Sequence, residues 1–154
     1  MRYQTHGFIP ISAPPARHTK PAAIVNIVKG DYLIDDTTGY ATQTATAFAV
    51  AGLGIAAADC DNSAGASKGA KNVEIYPIDP LTRYIVPVAA NALITQTAIG
   101  LLVDLENNDD IDISDTTIVA GSYGFFIDDI DVSAEAIVAN AYGYAIGHFQ
   151  MAHA

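Results

Sequence analysis

The chain has no tryptophan, one cysteine and few charged residues. Only 16% of its 154 residues are Asp, Glu, Lys or Arg, whereas about 25% is usual for globular domains. Because Cys60 is alone, an intrachain disulfide is excluded, and this cysteine usage suits a reducing compartment. Hydrophobic residues make up 51% of the chain. This combination predicts that part of the surface is buried against other subunits.

Cations are missing from the second part of the chain. From Tyr84 onward there is no lysine or arginine, although this part holds ten acidic residues, and the net charge of the whole chain is −10. Phosphate binding needs clustered cations, so we expect no nucleic-acid partner. No leader pattern and no apolar run near the roughly 20 residues that cross a bilayer is present. We therefore expect a soluble protein without a membrane partner.

Motifs for cofactor or metal binding are incomplete. Residues 52–57, Gly-Leu-Gly-Ile-Ala-Ala, match the dinucleotide fingerprint, but the sequence after them does not predict the helix that must follow. The alternating acids of residues 104–112 resemble calcium ligands, yet neither register supplies the glycine and glutamate of an EF-hand loop. A solvated acidic turn is the favoured interpretation, and a weak cation site remains the alternative.

Catalytic side chains also lack a recognisable arrangement. No pair of histidines has the i, i+4 spacing of a zinc-binding helix, and all four lie near the chain ends, as His6, His18, His148 and His153. Cys60 lies between two aspartates, which disfavour a reactive thiolate. We expect no catalytic residue, no cofactor and no metal, and therefore no enzyme.

A proline-punctuated pair of apolar runs stands at the centre of the chain, at residues 72–89. Its apolar residues alternate with a period of two, which indicates strands, and Asp79-Pro80 predicts a turn between them. We expect a hairpin whose strands are interrupted or placed at sheet edges, because Pro77 and Pro87 cannot donate to a ladder.

Many short strands separated by glycine and aspartate turns predict an all-β fold, as a barrel or a sandwich. One short helix is expected after Ser133, which can cap free N–H groups. Residues 30–35 also resemble residues 100–104. Related strand pairs would explain this similarity, but chance in a chain rich in Ala, Gly and Asp is the favoured explanation.

The first 22 residues differ from the rest. They hold four of the seven prolines and no acidic residue, so we expect an extended arm over 1–22 and a β domain over 23–154. A free tail has no need of large apolar side chains, so the arm is expected to dock on a neighbour or on the chain's own body. The predicted partner-binding residues are Tyr3, Phe8, Ile9, Ile11, Arg17 and Lys20.

Four glycine-rich strand patterns resemble those of bacteriophage capsid decoration proteins, also called cement or head-stabilisation proteins. These patterns are residues 54–59, 73–78, 100–105 and 140–147. The resemblance implies a small β-barrel or β-tulip-like domain that is often trimeric. It also implies placement on the outer capsid face, where such proteins bridge neighbouring major capsid subunits, commonly through an extended terminal arm.

The functional prediction is a structural virion protein that cements the major capsid protein as a homotrimer. Its expected location is the capsid surface, and the host cytoplasm during assembly. The alternative is a carbohydrate-binding or adhesin-like β-sandwich of a fibre or surface protein. The lack of tryptophan argues against that alternative, since sugar sites usually use exposed aromatic side chains.

Overall fold

β-Strands account for most of the regular structure. The computed structural model describes residues 3, 6–43, 48, 52–65, 67–90 and 92–152. The all-β prediction is confirmed, with one short helix in the described ranges. The elements are β1 (Ile9–Pro10), β2 (His18–Pro21), β3 (Asn26–Ile27), β4 (Tyr32–Asp35), β5 (Ala41–Gln43), β6 (Gly52–Ala56), β7 (Cys60–Asp61), β8 (Asn72–Pro77), β9 (Tyr84–Pro87), a 3₁₀ turn (Gln96–Ala98), β10 (Leu102–Asn107), β11 (Asp110–Asp112), β12 (Tyr123–Asp131), α1 (Ala134–Ala139) and β13 (Tyr144–Met151).

The strands form two large antiparallel sheets and one small one. The first large sheet has the order β2-β8-β6-β4-β5, and we call it unit 1. The second has the order β1-β9-β13-β12-β10-β11, and we call its last five strands unit 2. Strands β3 and β7 form the small sheet.

The two units have the same topology. If the strands of each unit are numbered along the chain, the order across both sheets is first, fifth, fourth, second, third. In both units the residue that follows the first strand forms a single parallel bridge to the third strand, as Ala22 to Ala41 and Val88 to Ile111. Each sheet is open, and it curls far enough for these two strands to touch at one point.

Backbone hydrogen bonds repeat at matching positions in the two units. A glycine with positive φ precedes the second strand of each, Gly30 in unit 1 and Gly100 in unit 2. Gly30 N–H donates to Ala56 O at 2.9 Å, and Gly100 N–H donates to Ile127 O at 2.8 Å. The similarity between residues 30–35 and 100–104 therefore falls on strands at equivalent positions, β4 and β10.

The main core fills the curl of unit 2 and extends onto unit 1. The inner face of unit 2 contributes buried Val, Ile, Ala and aromatic side chains, among them Phe125 and Phe149. Tyr32 and Phe48 reach this core from the unit 1 side and contact Phe149, with ring centroids 5.9 and 5.7 Å away. Unit 1 holds a smaller core of its own, built from Ala22, Ile27, Leu33, Ala41, Ala56, Cys60, Val73 and Ile75.

The predicted hairpin at residues 72–89 is wrong in its pairing, although both strands exist. Strand β8 lies between β2 and β6 in unit 1, and β9 lies between β1 and β13 in the other sheet. Both edges of each strand are therefore taken by other partners. The turn after Asp79 does form, since Thr82 N–H donates to Asp79 O at 3.2 Å. This turn links the two units, and Pro77 and Pro87 stand at the last position of their strands.

The predicted helix is confirmed. It runs over Ala134–Ala139, and the hydroxyl of Ser133 accepts a hydrogen bond from Ala136 N–H at 3.3 Å. This bond satisfies one of the N–H groups that a first helical turn leaves unpaired.

Candidate partner-binding surface

The described part of the N-terminal segment joins both sheets of the molecule. Strand β1 pairs with β9, next to unit 2, and β2 pairs with β8 in unit 1. Of the predicted arm, residues 1, 2, 4 and 5 lie outside the described residues. The segment docks on the chain's own body, which was one of the two destinations expected for it.

Phe8 and Tyr3 belong to the interior of this chain. Phe8 is 0% exposed, and its ring packs against Tyr84, Phe125 and Phe149 at centroid distances of 6.2, 5.5 and 5.3 Å. Tyr3 is buried against Tyr144, and its hydroxyl donates to Asp131. The assignment of Phe8 to a partner surface is corrected here, because a side chain without exposed area cannot contact a partner.

Ile9 and Ile11 differ in exposure although they are two residues apart. Ile9 is half-buried and pairs with Ile85. Ile11 is 39% exposed, and its N–H donates to Arg83 O at 2.9 Å. After Ile11 the chain stays exposed through Thr19, except for half-buried Pro15. These residues form an exposed, proline-containing strap between the two sheets, which we call the strap (residues 11–19).

Two cations lie at the end of the strap, on the edge of unit 1. Arg17 forms an ion pair with Glu74 at 2.8 Å and lies over the ring of Tyr76, 5.3 Å from its centroid. The Glu74 carboxylate and the Tyr76 hydroxyl raise the pKa of Arg17. Lys20 lies 3.5 Å from the Asp35 carboxylate. The Arg17–Glu74 pair is exposed and contributes little to stability, whereas Lys20 and Asp35 are half-buried.

A groove of about 360 Å³ opens beside these cations. Its walls come from β2, β6 and β8, as His18, Thr19, Lys20, Pro21, Leu53, Ile75 and Pro77. The groove lies at the edge of unit 1 and combines His18 and Lys20 with mainly apolar side chains. The structure thus brings Lys20 to this groove, while Phe8 and Tyr3 lie in the interior away from it.

An ionic cluster that the sequence did not indicate ties the segment to both units. His6 Nε2 lies 2.5 Å from Asp31 Oδ1, and His6 Nδ1 lies 3.0 Å from Asp109 Oδ2. Hydrogen bonds to Asp109 and Asp31 raise the pKa of His6 to about 10, so the ring is a cation that donates from both nitrogens. Asp31 belongs to unit 1 and Asp109 to unit 2, which makes His6 a clamp between them.

Asp31 is the centre of this cluster. The side chain is fully buried and accepts further hydrogen bonds from Val28 N–H, Gln43 Nε2 and Asn108 Nδ2, at 2.9, 2.8 and 2.7 Å. A buried carboxylate is stable only when it is paired and hydrogen-bonded, and this one is both. No sequence signal marks the cluster, because its members are scattered over about a hundred positions.

His148 forms a second ion pair, on the other side of unit 2. Its Nδ1 lies 2.8 Å from Asp128 Oδ2, and its ring contacts the Phe126 ring in a tilted arrangement, with centroids 5.3 Å apart. Arg83 lies at the same carboxylate, 3.9 Å away. His18 lines the groove, and His153 lies outside the described residues.

The motifs considered for cofactors and metals form other structures. Gly52 and Gly54 lie within strand β6, where the dinucleotide motif would need a turn into a helix. Asp104 is buried and accepts from the Phe48 and Leu105 N–H groups, and burial raises its pKa. Among the residues that the structure describes, no group of three or more His, Cys, Asp or Glu side chains is placed to hold a metal ion. Cys60 is buried, and burial raises the pKa of its thiol.

Comparisons with known proteins identify no relative. No protein family model, no curated protein and no solved structure matches the chain. Within the described ranges, no helix has both the length and the apolar character that crossing a bilayer requires.

Proposed function

We propose that this chain is a structural virion protein that binds the outer surface of a phage capsid and cements neighbouring major capsid subunits. The observation that carries the proposal is the exposed strap of residues 11–19, which ends at the cations Arg17 and Lys20 on a chain of net charge −10. An exposed, extended strap that ends at two surface ion pairs fits contact with a partner surface, because a partner carboxylate can compete with Glu74 for Arg17.

Further support comes from apolar side chains that remain on the surface. Leu81 in the turn between the units is 87% exposed, and Val138 on α1 is 90% exposed. Burying such side chains gains roughly 25 cal/mol per Å² of apolar area. Repeated over many copies on a capsid, modest contacts of this kind sum to substantial reinforcement.

The proposal also covers the shape of the body, the oligomeric state and the location of the protein. We propose that the body is a small β-barrel or β-tulip-like domain, which the single parallel bridge between the first and third strands of each unit supports. We propose a homotrimer located on the virion surface, and in the host cytoplasm during assembly. The acidic second half makes a nucleic-acid partner unfavourable.

Cosedimentation with capsids tests the function. The full chain is mixed with expanded capsids of the phage that encodes it, and the pellet is analysed by gel densitometry. We expect saturable binding at a fixed ratio to the major capsid protein, and a higher temperature of capsid disruption. Deleting the segment is unsuitable, because it would remove Phe8 from the core.

A matched pair of point variants tests whether the strap contacts the capsid. Arg17→Gln and Lys29→Gln each remove one exposed cation, but only Arg17 lies at the strap. Arg17→Gln should weaken capsid binding about tenfold, on the order of 1.4 kcal/mol, and Lys29→Gln should not. Absence of cosedimentation by the wild-type chain would overturn the proposed function, and equal loss in both variants would remove the strap from it.

A further inference from the structure

The equivalence of the two units gives each groove residue a counterpart in unit 2. Strand pairing places Leu33 opposite Gly54 and Val103 opposite Phe125, and it then places Gly54 opposite Pro77 and Phe125 opposite Phe149. Gly54 therefore corresponds to Phe125, and Pro77 corresponds to Phe149. The first strands correspond in the same way, with His18 at the position of Tyr84 and Lys20 at that of Val86.

In unit 2 the corresponding positions form a binding site for an additional strand, which we call the seat. Strand β1 lies along the outer edge of β9, with Ile9 opposite Ile85, and Phe8 inserts its ring among Tyr84, Phe125 and Phe149. An extended segment with one aromatic side chain thus completes the mouth of the unit 2 curl.

Unit 1 has the same seat with smaller and more polar walls. Where unit 2 has Tyr84, Phe125 and Phe149, unit 1 has His18, Gly54 and Pro77. The groove of about 360 Å³ is lined by His18 and Pro77 and by Leu53, the neighbour of Gly54. That volume is within the range of small-molecule and side-chain pockets. A side chain cannot be added at position 54, because a Cβ there would overlap the carbonyl oxygen of Tyr76.

Within the described residues, the outer edge of β2 has backbone groups without a hydrogen-bond partner, as an added strand needs. Ala22 N–H donates to Lys71 O, so by alternation His18 and Lys20 face β8, while the N–H and C=O of Thr19 face outward. Ile85 is the counterpart of Thr19, and its outward groups face β1. Strand β2 is the edge of its sheet.

We propose that this groove binds an extended segment of a partner protein, which adds to β2 as a strand and inserts one aromatic side chain. The segment carries an acidic residue two positions before the aromatic one, because Val86 of unit 2 is replaced here by Lys20, whose present partner is the Asp35 carboxylate at 3.5 Å. Main-chain hydrogen bonds to Thr19 supply affinity, and the pocket and Lys20 supply specificity. The inference is independent of the proposed capsid partner.

A short peptide tests it with the full chain. The probe is Glu-Gly-Phe-Ile-Pro-Ile-Ser, which copies residues 6–12 with glutamate in place of His6. Titration is followed by ¹⁵N–¹H NMR of the protein. We expect saturable shifts at Thr19, Leu53 and Ile75 with Kd below about 1 mM, and slower hydrogen exchange of the Thr19 amide.

Three variants separate strand addition from other binding. Thr19→Pro removes the outward N–H and leaves the bonds to β8, so it should weaken binding at least about tenfold, whereas Thr19→Ala should bind as the wild type does. A version of the peptide with alanine for phenylalanine should lose binding.

Four results would overturn the inference. They are no saturable shift at about 1 mM peptide, shifts confined to other surfaces, equal binding by Thr19→Pro and Thr19→Ala, or concentration-dependent shifts at the groove without peptide. The last result would assign the groove to a second copy of this chain.

Discussion

The ion pairs of His6 with Asp31 and Asp109 should make this protein less stable as the pH becomes alkaline. His6 has a pKa of about 10 in the folded chain, against 6.5 for an unperturbed histidine. Between these values the folded chain keeps a proton that the unfolded chain releases, so the free energy of unfolding falls as pH rises. The contribution is fully present below about pH 6.5 and is lost through about pH 10.

The magnitude follows from the shift and the exposure of the ring. At 1.36 kcal/mol per pKa unit, a rise from 6.5 to about 10 corresponds to an upper limit of about 5 kcal/mol. The His6 side chain is 34% exposed, so solvent screens part of the interaction with Asp31 and Asp109. We therefore expect a loss of about 2 kcal/mol between neutral pH and about pH 10.

Urea denaturation of the wild type and His6→Gln, from about pH 6 to about pH 10, measures this loss. The difference in free energy of unfolding between the two proteins should be largest at the acidic end and should shrink toward the alkaline end. His18→Gln is the matched control, because His18 lies outside the cluster. Parallel curves for the wild type and His6→Gln would refute the clamp.

Two further predictions concern the core and one glycine. Phe8→Ala should lower the free energy of unfolding by about 3–5 kcal/mol, because it leaves a cavity among three aromatic rings. Ile11→Ala on the strap should cost less than about 1 kcal/mol, and equal costs in urea melts would contradict the placement of Phe8. Gly54→Ala should cost at least about 3 kcal/mol through its overlap with Tyr76, whereas Gly39→Ala, with φ +96 and open space, should cost about 1. Similar costs would disprove the close approach.

Local sequence patterns predicted the strands and the helix because those signals are carried by neighbouring residues. A period of two marks the faces of β8 and β9, and Ser133 supplies the side chain that caps α1. The similarity of residues 30–35 and 100–104 also falls on two strands at equivalent positions of the two units. The equivalence of the two strands became visible only from the hydrogen bonds to Ala56 and Ile127, which join residues far apart in the chain.

The pairing of strands within the sheets could not be predicted from local sequence patterns. Two strands joined by a turn form a hairpin only if their facing edges are free, and those of β8 and β9 are taken by strands from distant parts of the chain. The proline-rich segment was a similar case. Its composition predicted an extended conformation, but whether Phe8 met a partner or the chain's own body depended on the aromatic seat in unit 2.

By itself, the sequence determined an all-β protein with a short capped helix, an acidic second half and a distinct N-terminal segment. These properties follow from composition and from periods of a few residues. Only the tertiary structure decided the two equivalent units, the clamp of His6 by Asp31 and Asp109, and the groove at β2. Each of these depends on contacts between residues far apart in the chain, where the free energy of packing and ion pairing, rather than local conformation, selects the partner.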